Sequence, residues 1–82
     1  METDEQERRV YVAVDAKGDE IGRVRAPSWD WAEGGLNFQL WDTKPDEWHE
    51  WKKSRHIVRL GPDGQRGASR RWDGTAYITK GE

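Results

Sequence analysis

The chain has 82 residues and no cysteine, so one small domain is expected, and disulfides, thiolate metal sites and a cysteine nucleophile are excluded. It is 33% hydrophobic with only short apolar runs, so nothing approaches the about 20 apolar residues of a membrane span or the ~7 of a signal-peptide core. The formal net charge of −2 hides an asymmetry: residues 1–51 hold thirteen acidic and six basic side chains, residues 52–82 three acidic and eight basic. Either one face suits an anionic partner or the two halves neutralise each other inside the fold.

Residues 1–8 are polar and charged and read as a disordered leader to a single small domain over 9–80; a cytoplasmic location is the expectation. "RVYVAVD" alternates Val10, Val12 and Val14 with Tyr11 and Ala13, the period of a half-buried strand. "DAKGD" supplies an Asp and a left-handed Gly18 for a tight turn. The returning strand "EIGRVRA" has Ile21 and Val24 out of phase, so both reach the core only through a bulge near Gly22.

Pro27 ends that strand. "SWDWAEGG", 28–35, has the residues of a loop, with Trp29 and Trp31 on one side of an extended backbone. "LNFQLWD", 36–42, alternates Leu36, Phe38 and Leu40 against Trp41 and predicts a third strand whose Trp41 points away from the core. "TKPDEWHEWKKSR" then predicts a short helix. Thr43 caps it, Pro45 sits in its first turn, and Asp46, Glu47 and Lys52, Lys53, Arg55 are sorted to suit the helix dipole. Trp48 and Trp51, three apart, share the face that fastens it to the sheet. "HIVRL" is a further strand and "GPDG" a turn. Asp73-Gly74 predicts a two-residue hairpin in which Trp72 faces Thr75 and Arg70 faces Tyr77, with Ala76 and Ile78 on the core side.

The fold expected is α+β: a small, mainly antiparallel sheet of about five strands, able to curl into a half-barrel, with one short helix. Six tryptophans, with five Val, three Ile, three Leu, two Tyr and one Phe, are more indole than so small an interior needs, since each ring buries roughly 150–250 Å². The surplus points to binding. Trp72, Tyr77 and Arg70, with Arg71 and Arg66 nearby, have the residue types of interface hot spots. Trp29 and Trp31 form a second candidate.

Catalysis finds no support. His49 and His56 share no ligand spacing, and the glycines of "GPDGQRG" match no phosphate loop. No cofactor, metal or catalytic residue is expected. The reading is a non-enzymatic protein-binding module, a small regulator or inhibitor of a larger protein. The alternative is a single-stranded nucleic-acid platform, with Trp72 and Tyr77 stacking bases while Lys52, Lys53, Arg55, Arg59, Arg66, Arg70 and Arg71 follow phosphates. A third reading is carbohydrate binding by Trp29 and Trp31. Partner identity and oligomeric state are not encoded in any motif.

Overall fold

The computed structural model describes residues 9–81; the expected leader lies outside the described residues. Seven elements follow in order: β1 Arg9–Val14, β2 Glu20–Ala26, α1 Trp29–Thr43, α2 Pro45–Ser54, β3 Ile57–Leu60, β4 Arg66–Trp72 and β5 Tyr77–Lys80. The five strands form one open antiparallel sheet in the order β2-β1-β3-β4-β5. It does not close into a barrel.

Strand alternation divides the core between the two faces of the sheet. Tyr11, Ala13, Ile21 and Ile57 meet Ala32, Leu36, Leu40 and Trp51 from the helices. Val12, Val14, Val58 and Leu60 cluster on the opposite face. The β1–β2 turn is held by Asp15, whose Oδ1 accepts from the N–H groups of Lys17 and Asp19 at 2.9 Å each, with Gly18 at φ +89. The expected bulge is present. Ala13 pairs with Gly22 but Val14 with Glu20, so Ile21 is skipped and both it and Val24 reach the helix side.

The principal correction concerns 28–43. Neither the loop nor the third strand forms; the segment is helix α1. Ser28 caps it through its hydroxyl oxygen, which accepts from Trp31 N–H at 3.4 Å, and its carbonyl accepts from Ala32. Leu36 and Leu40 serve the core as expected, but as an i, i+4 pair continuing Ala32. Phe38, expected inside, is exposed. Gly35 lets the helix approach the sheet, because a Cβ there would lie 3.1 Å from Val24 Cγ2. The helix also covers the edge strand: Gln39 accepts from Arg23 N–H at 3.1 Å and donates to Arg23 C=O at 3.0 Å, satisfying groups an edge leaves open.

Among the described residues there are therefore two helices rather than one. Lys44 joins them, its N–H closing α1 on Leu40 C=O and its C=O opening α2 to Trp48 N–H. Thr43 is not the cap of α2; it ends α1, and its hydroxyl donates to Gln39 C=O. Pro45 begins α2, as expected. Trp51 is buried and its indole N–H donates to His56 C=O at 2.9 Å, while half-buried Trp48 donates to Asn37 Oδ1 at 2.7 Å. Both rings fasten α2.

The closing hairpin is two residues out of the expected register. Trp72 pairs with Tyr77 and Arg70 with Thr79, because Asp73 Oδ1 accepts from both Thr75 and Ala76 N–H at 2.8 Å and builds a longer loop. Ala76 is thus exposed in that loop, and Ile78, paired with Arg71, lies on the face opposite the helices. An even slip keeps Trp72, Tyr77 and Arg70 together. Their face is the helix side of the sheet, not the outer side.

Candidate functional site

On the β4–β5 hairpin, Trp72 and Tyr77 meet edge to face with centroids 4.9 Å apart, and the Arg70 guanidinium lies 3.8 Å from the Tyr77 ring centroid. The expected trio is therefore assembled. Its polar groups, however, turn inward to α1. Tyr77 O–H donates to the Glu33 carboxylate at 2.8 Å, and Arg70 donates to Glu33 at 3.2 Å and to Asp30 at 3.1 Å. Arg55, in the left-handed conformation that closes α2 (φ 49), donates to the other Glu33 oxygen. The side chains of Glu33 and Arg70 are only 12% and 11% exposed.

This is a clasp that ties the C-terminal hairpin and the end of α2 to the first half of α1. It also shows how the unequal halves of the sequence meet, with acids from the first and arginines from the second. The Arg70 Nε stays buried without a hydrogen-bond partner. An open basic and aromatic pocket of about 550 Å³ borders the clasp, lined by Lys52, Lys53, Arg55, Trp72 and Tyr77.

The remaining expected residues are dispersed. Arg71 lies on the opposite face of the sheet from Arg70. Arg66 stands at the far end of β4, with a guanidinium nitrogen near Gly18. Trp29 and Trp31 are not side by side, because two residues of helix turn the chain through about 200°. Trp29 packs edge to face on Tyr11 at 5.0 Å, under the Arg59 guanidinium. Trp31 points to solvent and is 71% exposed. His56 is half-buried; burial, then Arg71 and Arg66, hold it below its ordinary 6.5. Among the described residues no group of three or more His, Cys, Asp or Glu gathers as a metal site, and no helix is long and apolar enough to cross a membrane.

What the sequence reading missed is the outer face of α1. Trp31, Phe38 and Trp41 are 71%, 65% and 55% exposed. With helical spacing of seven and three residues they share one stripe, opposite Ala32, Leu36 and Leu40. Phe38 and Trp41 rings lie 6.2 Å apart. Between Trp31 and Phe38 sits Gly34, where an added Cβ would meet nothing within 4 Å. Unlike at Gly35, a side chain here would press on nothing in the chain, although glycine within a helix costs about 1 kcal/mol. Beside it a groove of about 550 Å³ runs between α1 and β2, lined by Val24, Ala26, Pro27, Trp31, Gly34 and Gly35 among others. Asp30 and Asp42 flank the stripe, and α1 contains no Lys or Arg. The signal available in the sequence was the i, i+7, i+10 spacing of three rings, which helical phasing of "WDWAEGGLNFQLW" would have exposed.

No protein-family model matches the chain, and neither a curated protein nor a solved structure matches it.

Proposed function

We propose that the chain is a non-enzymatic protein-binding module, a small regulator or inhibitor that docks on a larger protein through the outer face of α1. One observation carries the reading: a helix whose inner side completes the core also holds Trp31, Phe38 and Trp41 out in water. At these exposures the rings offer roughly 300–450 Å² of apolar surface. That matches the largest patch of a typical monomer, a size that is often functional. Burying it in a complex would contribute on the order of 8–11 kcal/mol, comparable with the about 4–15 kcal/mol that association costs in lost freedom. The rim must therefore help. Asp42, with Asp30 already bonded to Arg70, favours a partner with an apolar pocket edged by basic groups.

The clasp makes Trp72, Tyr77 and Arg70 a poorer platform for nucleic acid, because Arg55 and Arg70 are already engaged by Glu33 and Asp30. The helical separation of Trp29 from Trp31 removes the paired rings that the carbohydrate reading needs. Capture from cell lysate with identification by mass spectrometry tests the proposal. Proteins held by wild type and by Trp72→Ala but lost with a folded Phe38→Asp chain would support it; equal recovery on Phe38→Asp would refute it.

A further inference from the structure

The stripe on α1 has a property that its partner does not have to supply: it complements itself. We propose that, when no other protein occupies it, the outer face of α1 pairs with the same face of a second copy across a two-fold axis, the two helices running antiparallel. The inference rests on the reading of this face as a docking surface and names an occupant for it.

The register follows from the residue numbers. In an antiparallel pair related by a two-fold axis, residues facing each other have numbers with a constant sum, because every residue rises about 1.5 Å along both helices. A sum of 72 places Trp31 of each copy level with Trp41 of the other and Gly34 level with Phe38. The large rings and the notch then fall at the same levels: each Phe38 stands within about 40° of helix phase of the one position of the stripe that has no side chain, where an added Cβ would meet only open space within its own chain. No other sum seats a ring over Gly34 while keeping the two tryptophans level.

The charges agree. At about 100° per residue, Asp30 and Asp42 lie on opposite flanks of the stripe. The pairing keeps each flank on its own side, so Asp30 of one copy and Asp42 of the other are level but separated by the apolar seam. The area is that of a weak contact. The rings alone give each copy roughly half of the about 800 Å² that a standard interface takes from each partner. The groove walls Val24 and Pro27, beside Trp31 and Gly34, extend the same surface. Such a dimer is weak and opens to release the docking face, so self-association competes with partner binding.

Sedimentation of the full chain over a concentration series up to about 1 mM tests this. A reversible wild-type dimer, weakened by more than about tenfold in both Phe38→Asp and Gly34→Leu, is the expected result; tenfold is a free-energy change of about 1.4 kcal/mol. Gly34→Leu is the informative variant, because on an exposed helix position leucine favours the monomer fold and harms only a contact that needs the notch. Since the chain has no cysteine, the register is read directly by mixing Trp31→Cys chains with Trp41→Cys chains. The mixed disulfide should outnumber both homodisulfides, whose cysteines would be about 15 Å apart along the axis. A chain monomeric throughout, a dimer indifferent to Gly34→Leu, or a majority of homodisulfides overturns the pairing. Phe38-dependent capture of another protein by a monomeric chain would overturn the pairing alone and leave the docking surface standing.

Discussion

Two regions of the molecule use aromatic and charged side chains in opposite ways. At the clasp, the Glu33 carboxylate gathers bonds from Arg55, Arg70 and Tyr77, and the aromatic ring is a lid over an internal ion pair. On the outer face of α1, Trp31, Phe38 and Trp41 keep more than half of their surface in water. Residue type alone does not distinguish a surface built for binding from one built for stability. What distinguishes them is whether the partners are already present.

That contrast breaks first through the core beneath it. Leu36 and Leu40 are fully buried, so Leu36→Ala should cost about 2–5 kcal/mol in equilibrium unfolding. Trp31→Ala, on the same helix, should change stability by no more than about 0.5 kcal/mol. If Trp31→Ala matched Leu36→Ala, the outer stripe would be structural.

The clasp comes next. Glu33→Gln removes the charge that compensates Arg70 and Arg55, leaving buried donors poorly matched, at a cost of about 2 kcal/mol. Arg55 is 43% exposed in its side chain, so water compensates its share, and Arg55→Ala should cost markedly less than Arg70→Ala. Equal losses would mean that the clasp is not organised around Arg70.

Adjacent glycines provide a finer comparison. Gly34→Ala should stabilise the monomer by about 0.5–1 kcal/mol through helix propensity. Gly35→Ala meets Val24 at 3.1 Å and should fall below Gly34→Ala by about 1 kcal/mol. Identical thermal shifts would place the two glycines in equivalent surroundings, against the structure.

The smallest effect is on pH. The folded pKa of His56 is depressed, chiefly by burial. The unfolded chain therefore takes up the proton first, and stability declines as pH falls through 6.5, until the folded group also titrates. Glu20, lowered by its hydrogen bond from Arg23, adds a loss further down, below its ordinary 4.5. Thermal melts between pH 8 and 5 should show the first decline, and His56→Gln should flatten it. An unchanged profile would assign the decline to other groups.

Much of the fold was legible because local chemistry and tertiary packing agreed. Asp15 and Gly18 determine their turn, the phase break at Ile21 announced its bulge, and the charges and tryptophans of α2 marked a helix fastened by Trp48 and Trp51. Helix α1 was not legible, for two physical reasons. Leu36 and Leu40 satisfy the strand period and the helix period equally, and Gly34-Gly35 resembles a loop until Val24 is seen pressing on Gly35. Moreover, Trp31, Phe38 and Trp41 make the helix apolar on both sides, which erases the one-sided pattern that identifies a surface helix. The hot-spot trio was legible as a cluster because an even slip of register preserves its face. Its engagement with Glu33, 37 residues from Arg70, was not, since nothing local encodes a contact of that range.

The account stands on three rings of α1 that the monomer does not use. Its most direct test is the unfolding free energy of Trp31→Ser/Phe38→Ser/Trp41→Ser, measured at a dilution where the wild type is monomeric. Serine has a helix propensity close to that of the aromatics it replaces. The triple variant should fold with a stability within about 0.5 kcal/mol of wild type. A loss of several kcal/mol would show that these rings hold the chain together and that no surplus is on display.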